Sequence, residues 1–314
     1  MHTPANSAPA AGAEASLARP RWYSHGLNRL IFYRIAATSA SAAPRSIRLL
    51  VARAIGRAIG LRLTKERGHV RSNLARVLPE APPAVLNAAV GETFANFAAY
   101  FVDLLTLNRR DPAALLRYVS GVDGDEHLEA VFAAHRGAIL LTAHLGNWEL
   151  GGRLLARRGG RITHVVLSAE EDADLERYLR INSPELRFVT RRQPTSTIGL
   201  LAALRRDELV AMQGDRAAGG RGDIPVPFFG APAAFPIGPF LLARVSGAPV
   251  VPAFCTMVPA GRYRITIEPP IWVKPGEERT GLTKMVEVLE RTIRAYPTQW
   301  FNFFDVRDTP RAAP

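Results

Sequence analysis

The spacing of apolar positions changes once along the chain, near residue 137, and the change separates two kinds of predicted element. Upstream the spacing is helical. Between Ser46 and Leu63 a helical projection gathers Ile47, Leu50, Val51, Ala54, Ala58 and Leu61 into one arc and leaves Arg45, Arg48 and Arg53 on the other side, with Leu49 and Ile59 blurring the boundary. A longer helix is predicted from Ala84 to Leu107, where Phe94, Phe97, Phe101 and Leu104 recur at helical intervals. Downstream the apolar runs are short, at Ala138 to Leu141, Ile162 to Leu167, Leu209 to Met212, Pro249 to Phe254 and Tyr263 to Ile267. Helical segments at Glu149 to Arg157, Ile198 to Arg206, Ile237 to Val245 and Leu282 to Ala295 separate them. Strands alternating with helices predict an α/β fold, a mixed and largely buried sheet flanked by helices. No repeat or long linker divides it, so residues 81–309 are expected to form one α/β domain, with helices over 21–80 and a disordered Ala/Pro/Ser-rich tail over 1–20.

Charge changes the picture at the N-terminus only. The formal net charge is +12, and residues 1–80 carry thirteen basic against three acidic residues, a net of +10, which leaves the body near neutral. Trp22, Tyr23, Phe32 and Tyr33 lie among Arg21, Arg29 and Arg34, a mixture suited to a lipid headgroup layer. The region over 21–80 therefore reads as basic amphipathic helices for an anionic membrane surface. The alternative is an amphipathic helix packed on its own domain. Nucleic-acid binding is not favoured, because the arginines lack the interleaving of a recognised binding module. The N-terminus has no secretory signal pattern, and Arg34, Pro44, Arg45, Arg48 and Arg53 interrupt the one segment that could approach a membrane span. The single cysteine, Cys255, lies in an apolar run, reads as core rather than nucleophile, and fits a reducing compartment.

The chemistry concentrates in Ala138 to Leu150, AILLTAHLGNWEL, an apolar strand followed by His144, a turn at Gly146 and a helix opening near Asn147 to Glu149. Loops at the carboxyl ends of α/β strands collect catalytic groups because a rigid sheet holds them. His144 and Glu149 are five residues apart, about 140° around a continuous helix, so they can pair only if the chain turns between them. Paired, the carboxylate would fix the imidazole tautomer and make it a general base for a hydroxyl. In the other reading His144 is a cap or core residue and Glu149 pairs with Arg153.

The segment His144-Leu145-Gly146-Asn147-Trp148-Glu149 resembles the His-x-x-x-x-Asp/Glu signature of the lysophospholipid acyltransferase superfamily, and more narrowly that of the late acyltransferases of lipid A biosynthesis and their glycolipid-acylating relatives. The likeness continues in order through Val70-Arg71-Ser72-Asn73-Leu74, Pro79-Glu80, Gln213-Gly214-Asp215-Arg216, Phe228-Phe229-Gly230, Phe235-Pro236-Ile237-Gly238 and Pro297-Thr298-Gln299-Trp300, over roughly residues 22–305. It implies an O-acyltransferase that takes a fatty acyl group from an acyl carrier protein or coenzyme A thioester to a hydroxyl of a membrane glycolipid such as a lipid A precursor. It further implies no metal, no cofactor, no acyl-enzyme, and a place on the cytoplasmic face of the inner membrane. Mapped onto this chain, His144 is the catalytic base and Glu149 its partner. Gly146, Asn147, Gly214, Asp215 and Arg216 form the substrate-binding set, with Arg216 binding an acceptor phosphate or the developing oxyanion and Asp215 positioning it. The other reading of Arg216 is a surface salt bridge. The aromatic stripe over Phe94 to Leu104 becomes either core or a wall of an acyl-chain groove.

The chain departs from that family in lacking an uninterrupted N-terminal transmembrane segment. It also lacks an Arg-Pro-containing segment after the second strand, where it reads Leu167-Ser168-Ala169-Glu170-Glu171-Asp172. The acceptor is accordingly open to other lipids, such as a lysophospholipid, and a non-catalytic lipid-binding protein of the same fold is the alternative in another class. No HExxH, GxSxG, Walker A or GxGxxG pattern occurs.

Overall fold

The computed structural model describes residues 43–107, 112–158, 160–167, 185–190, 194–217, 219 and 222–307. The expected tail over 1–20, the aromatic residues from Trp22 to Tyr33 and most of the segment after Leu167 lie outside the described residues. The described residues open with three helices, α1 (Arg45–Arg62), α2 (Thr64–Val77) and α3 (Pro83–Leu107), and then a helical turn at Pro112–Leu115. The alternating part follows as β1 (Val119–Asp123), α4 (Asp125–Ala133), β2 (Ala138–Thr142), α5 (Trp148–Arg158), β3 (Thr163–Leu167), β4 (Leu186–Thr190), α6 (Pro194–Arg205) and β5 (Leu209–Gln213). A hairpin, β6 (Asp223–Phe228) and β7 (Ala231–Pro236), leads into α7 (Gly238–Ser246), β8 (Val250–Val258), β9 (Arg262–Ile267) and α8 (Glu278–Ala295).

Seven strands form one sheet in the order β1-β9-β8-β2-β5-β3-β4, and every neighbouring pair is parallel except β8 with β9. This is the mixed, helix-flanked α/β sheet that the alternation predicts. Its central strands are apolar at successive positions because helices cover both faces. On β2, Ile139 and Leu141 enter one core cluster while Ala138 and Leu140 enter the other. On β8, Val250 and Phe254 divide from Val251, Ala253 and Cys255 in the same way. Helix α8 closes one face with Leu282, Met285, Val286, Leu289 and Ile293, a stripe at the helical period.

Helix α4, the two edge strands and the hairpin after β5 escaped the periodicity. Strands β1 and β4 lie at the two edges of the sheet and are only partly buried, so neither has a clean apolar pattern. The β6–β7 hairpin carries Pro225, Pro227, Pro232 and Pro236 and, among the described residues, pairs with no other strand, which is where proline is tolerated in a ladder.

Helix α1 packs with its polar side inward. Arg45 clamps both oxygens of Asp103, whose side chain is completely buried, and Arg53 reaches Asn96 and Glu92, all on α3. Leu49, Ala52, Gly56 and Gly60 fill the seam between these contacts. The glycines let the backbones approach, since an added Cβ at Gly56 would stand 2.5 Å from the Phe94 carbonyl oxygen. The apolar arc therefore faces away from the protein, and Leu50 and Leu61 are 69% and 67% exposed, with Ile47, Val51, Ile55 and Ile59 beside them. The amphipathic pattern was legible in the sequence, but which side would face the protein was not.

The seam gives a test of this packing. Gly56→Ala is expected to cost about 1–3 kcal/mol, because a rigid backbone oxygen blocks the new methyl. Gly68→Ala on α2, where an added Cβ meets nothing within 4 Å, should instead stabilise by about 0.5–1 kcal/mol through helix propensity. Thermal unfolding of the two variants should move in opposite directions.

Candidate active site

Strands β2 and β5 pair in parallel with Thr142 opposite Gln213, and the Gly214 amide donates to the Thr142 carbonyl at 2.9 Å. Two residues beyond this pair on each strand stand His144 and Asp215. The shared register brings together groups 71 residues apart, and His144 Nδ1 lies 2.7 Å from Asp215 Oδ1. The Asp215 side chain is fully buried, whereas the His144 side chain is 20% exposed at the surface of the site.

Burial by itself would raise the Asp215 carboxyl. The His144 charge and hydrogen bond, the nearby Arg216 guanidinium and the Trp300 indole outweigh it and hold the group well below the usual carboxylate range. An ionised carboxylate only accepts, so Nδ1 carries the hydrogen that lies between the two groups. The other carboxylate oxygen, Oδ2, accepts from Trp300 Nε1 at 3.1 Å.

Glu149 is the expected orienting partner of His144, and the group that meets Nδ1 is Asp215. Glu149 lies in the first turn of α5, where its Oε2 accepts from Tyr100 of α3 at 2.6 Å. The turn between them does form, with Gly146 at φ 64°, where an added Cβ would stand 2.1 Å from the Cys255 carbonyl oxygen. A local sequence window contains Glu149 but cannot contain Asp215.

The residues expected to bind substrate also make contacts within the protein. Asn147 is buried; its amide donates to the Cys255 carbonyl at 2.7 Å, its Oδ1 caps Leu150 at 3.1 Å, and its side chain also hydrogen-bonds Tyr263. Gly146 donates to the Gln299 carbonyl at 3.0 Å, and Gly214 is pressed against Leu141. Arg216 is half-buried, donates to the Phe301 carbonyl at 2.7 Å and lies over the Phe304 ring, near enough to Asp215 to stabilise its charge. Cys255 is buried on β8, and burial pushes its thiol up, which keeps it protonated.

An aromatic wall stands beside the imidazole. The Trp148 ring meets His144 edge-on at 5.4 Å and packs on Tyr100 at 4.6 Å, and Phe97 and Phe301 extend the group. Within the stripe on α3, Phe94 and Leu104 are core, while Phe97 and Phe101 are only partly buried. Trp300, Phe301 and Tyr100 carry no individual role in the sequence reading, although Trp300 closes one of its quoted blocks.

The site is a carboxylate-held histidine at the carboxyl ends of parallel strands in an α/β fold, next to an apolar wall. Comparison with known proteins identifies the family. A model described as bacterial lipid A biosynthesis acyltransferase matches residues 25–305, and the chain belongs to that family. A phosphatidylinositol mannoside acyltransferase of Mycobacterium tuberculosis (strain CDC 1551 / Oshkosh) is 29% identical over 238 residues, 74% of each chain. The protein of that name from Mycolicibacterium smegmatis is 25% identical over 234 residues, 74% of this chain and 76% of its own. A lipid A biosynthesis lauroyltransferase of Escherichia coli K12 is 30% identical over 183 residues, 57% of this chain and 58% of its own. The chain is an O-acyltransferase, and the family supports acyl transfer to a glycolipid.

The two carboxylates can be told apart by experiment. Asp215→Asn puts an amide against Nδ1 and favours the wrong tautomer, so kcat should fall about 10²- to 10⁴-fold with KM little changed. Glu149→Gln keeps a hydrogen-bonding group for Tyr100 and should cost far less. A larger loss in Glu149→Gln would return the orienting role to Glu149.

Proposed function

We propose that the protein transfers a fatty acyl chain from an acyl carrier protein or coenzyme A thioester to a hydroxyl of a membrane glycolipid, a lipid A precursor or a mannosylated phosphoinositide. His144 acts as general base. The observation that carries this reading is the 2.7 Å contact between His144 Nδ1 and the buried Asp215 beside the aromatic wall. The names of the relatives support both acceptor classes.

In the scheme Nε2 takes the proton of the acceptor hydroxyl as its oxygen attacks the thioester carbonyl. The carbon–sulfur bond then breaks, and the imidazolium returns the proton to the departing thiolate. Asp215 stays ionised throughout, stabilises the imidazolium and holds it in orientation. Neither a metal, a cofactor nor an enzyme nucleophile is needed, and the aromatic wall offers an apolar path for the acyl chain. Glu149 supports that wall by holding Tyr100 in place.

The outward apolar face of α1 supports docking on a lipid surface. Among the described residues no helix is long and apolar enough to cross a membrane. Ile47, Leu50, Val51, Ile55 and Ile59 instead form an exposed apolar strip on one helix, with Arg57 and Arg62 exposed beside it. That strip belongs in the hydrocarbon boundary with its arginines at the headgroups, the arrangement of a monotopic protein on the cytoplasmic face of the inner membrane.

Transfer of labelled acyl chains from acyl-coenzyme A or acyl carrier protein to glycolipid acceptors in vesicles tests the chemistry. His144→Ala should lower turnover about 10²- to 10⁴-fold, and an acyl-protein ester trapped on acid quench would refute direct transfer.

Docking has its own assay. Leu50→Glu with Ile55→Glu should weaken vesicle co-sedimentation by about tenfold per residue, because each replacement removes roughly 1.5 kcal/mol or more of apolar burial in lipid. Folding should be unaffected, since both side chains already face away from the protein. Undiminished sedimentation would place the lipid-binding surface elsewhere.

A further inference from the structure

Two of the quoted sequence blocks, Val70 to Leu74 and Pro297 to Trp300, contribute no group that moves a proton, yet the fold joins them. Asn73, buried on α2, donates through Nδ2 to the carbonyls of Asn302 at 3.1 Å and Phe304 at 2.7 Å, and its Oδ1 accepts from the Val306 amide at 3.2 Å. On the same helix Ser72 and Arg76 hold Asp305 at 2.9 Å and 3.0 Å. Residues 299–306 are thereby strapped to α2. At its other end the strap is stitched to the loop that carries the base, with the Phe301 amide on the His144 carbonyl at 2.7 Å and the Gly146 amide on the Gln299 carbonyl at 3.0 Å. Between these anchors Trp300 aims its indole N–H at Asp215 Oδ2.

We propose that Trp300, held by the Asn73 clamp, is a positioning residue that fixes the plane of the Asp215 carboxylate and so aims the His144 base. The proposal rests on the reading of His144 as that base. A carboxylate gripped at one oxygen can turn about its Cβ–Cγ bond, whereas one held at both oxygens presents Oδ1 to Nδ1 in a single orientation. The indole donor also draws charge from the oxygens. Without it the carboxylate would be more basic and would hold the imidazolium more firmly, so less free base would remain at a given pH. Among the described residues, the ionisable groups placed about this pair are Arg216 beside Asp215, Glu149 of α5 engaged by Tyr100 of α3, and the protonated Cys255 thiol of β8. None of them occupies the Trp300 position on Oδ2.

Trp300 also packs edge-on against Phe228 at 5.8 Å, so its shape must be separated from its donor. The variants are Trp300→Phe and the full chain with benzothienylalanine at position 300, which keeps the fused ring and replaces N–H by sulfur. In both, the acidic limb of the kcat/KM profile should move up by about half to one pH unit, a neutral hydrogen bond's worth. Activity well below the midpoint should then fall about three- to tenfold, with KM for the acyl donor unchanged. Asn73→Leu should move the limb the same way by a smaller amount. A titration of ¹⁵N-histidine-labelled chain, with the His144 signal identified by its loss in His144→Gln, reports the same shift without turnover. Unchanged limb and titration midpoint in the folded benzothienylalanine protein would overturn the proposal, and if Trp300→Phe does not fold, that protein alone decides it. If His144→Ala stays active, the base reading fails instead, and the proposal falls with it whatever the titration shows.

Discussion

Strands β2 and β5 run side by side in parallel, and the ladder that sets Thr142 against Gln213 is the constraint on which the site depends. A parallel pair fixes which residues emerge together at its carboxyl end, and here these are His144 and Asp215. A slip of one residue in either strand would turn one of the two side chains to the opposite face of the sheet. The register is in turn enforced by burial. Ile139 and Leu141 belong to one core and Ala138 and Leu140 to the other, so a one-residue slip would exchange the two faces. The catalytic geometry proposed here is thus a by-product of hydrophobic packing some distance below it.

Environment assigns the two acidic side chains their different places. Asp215 is completely enclosed, with the His144 ring and the Trp300 indole on its two oxygens and the Arg216 guanidinium near it. An anion in that setting is stable only while these partners remain, which ties the segment around Trp300 to the central sheet. Glu149 sits at the start of α5, where a negative charge suits the helix dipole, and it takes the Tyr100 hydroxyl.

A second buried network connects the surface to the same loop. Arg45 of α1 grips Asp103, Asp103 accepts from the Tyr263 hydroxyl at 2.7 Å, and Tyr263 meets the side chain of Asn147 between His144 and Glu149. Burial and the neighbouring Asp103 carboxylate push the Tyr263 phenol well above its ordinary value, so it stays a neutral donor. The helix that carries the outward apolar strip is therefore bonded through three side chains to the turn that presents the proposed base. An inside-out amphipathic helix is stable on the protein because Asp103, Glu92 and Asn96 receive its arginines.

The sequence by itself determined most of the local elements and the family. The period change marked where helices give way to α/β alternation, the run AILLTAH placed His144 at a strand end, and ordered blocks over most of the chain identified the family. Such features are short-range, because a strand or helix imprints its period on the residues that compose it. What only the tertiary structure decided is which distant groups meet: Asp215 rather than Glu149 on Nδ1, Trp300 behind Asp215, Asn73 on the carboxyl-terminal strap, and the arginine side of α1 turned inward. These depend on strand register and on which face of an element finds a partner, and both are settled by burying the whole core at once rather than by any window of the sequence.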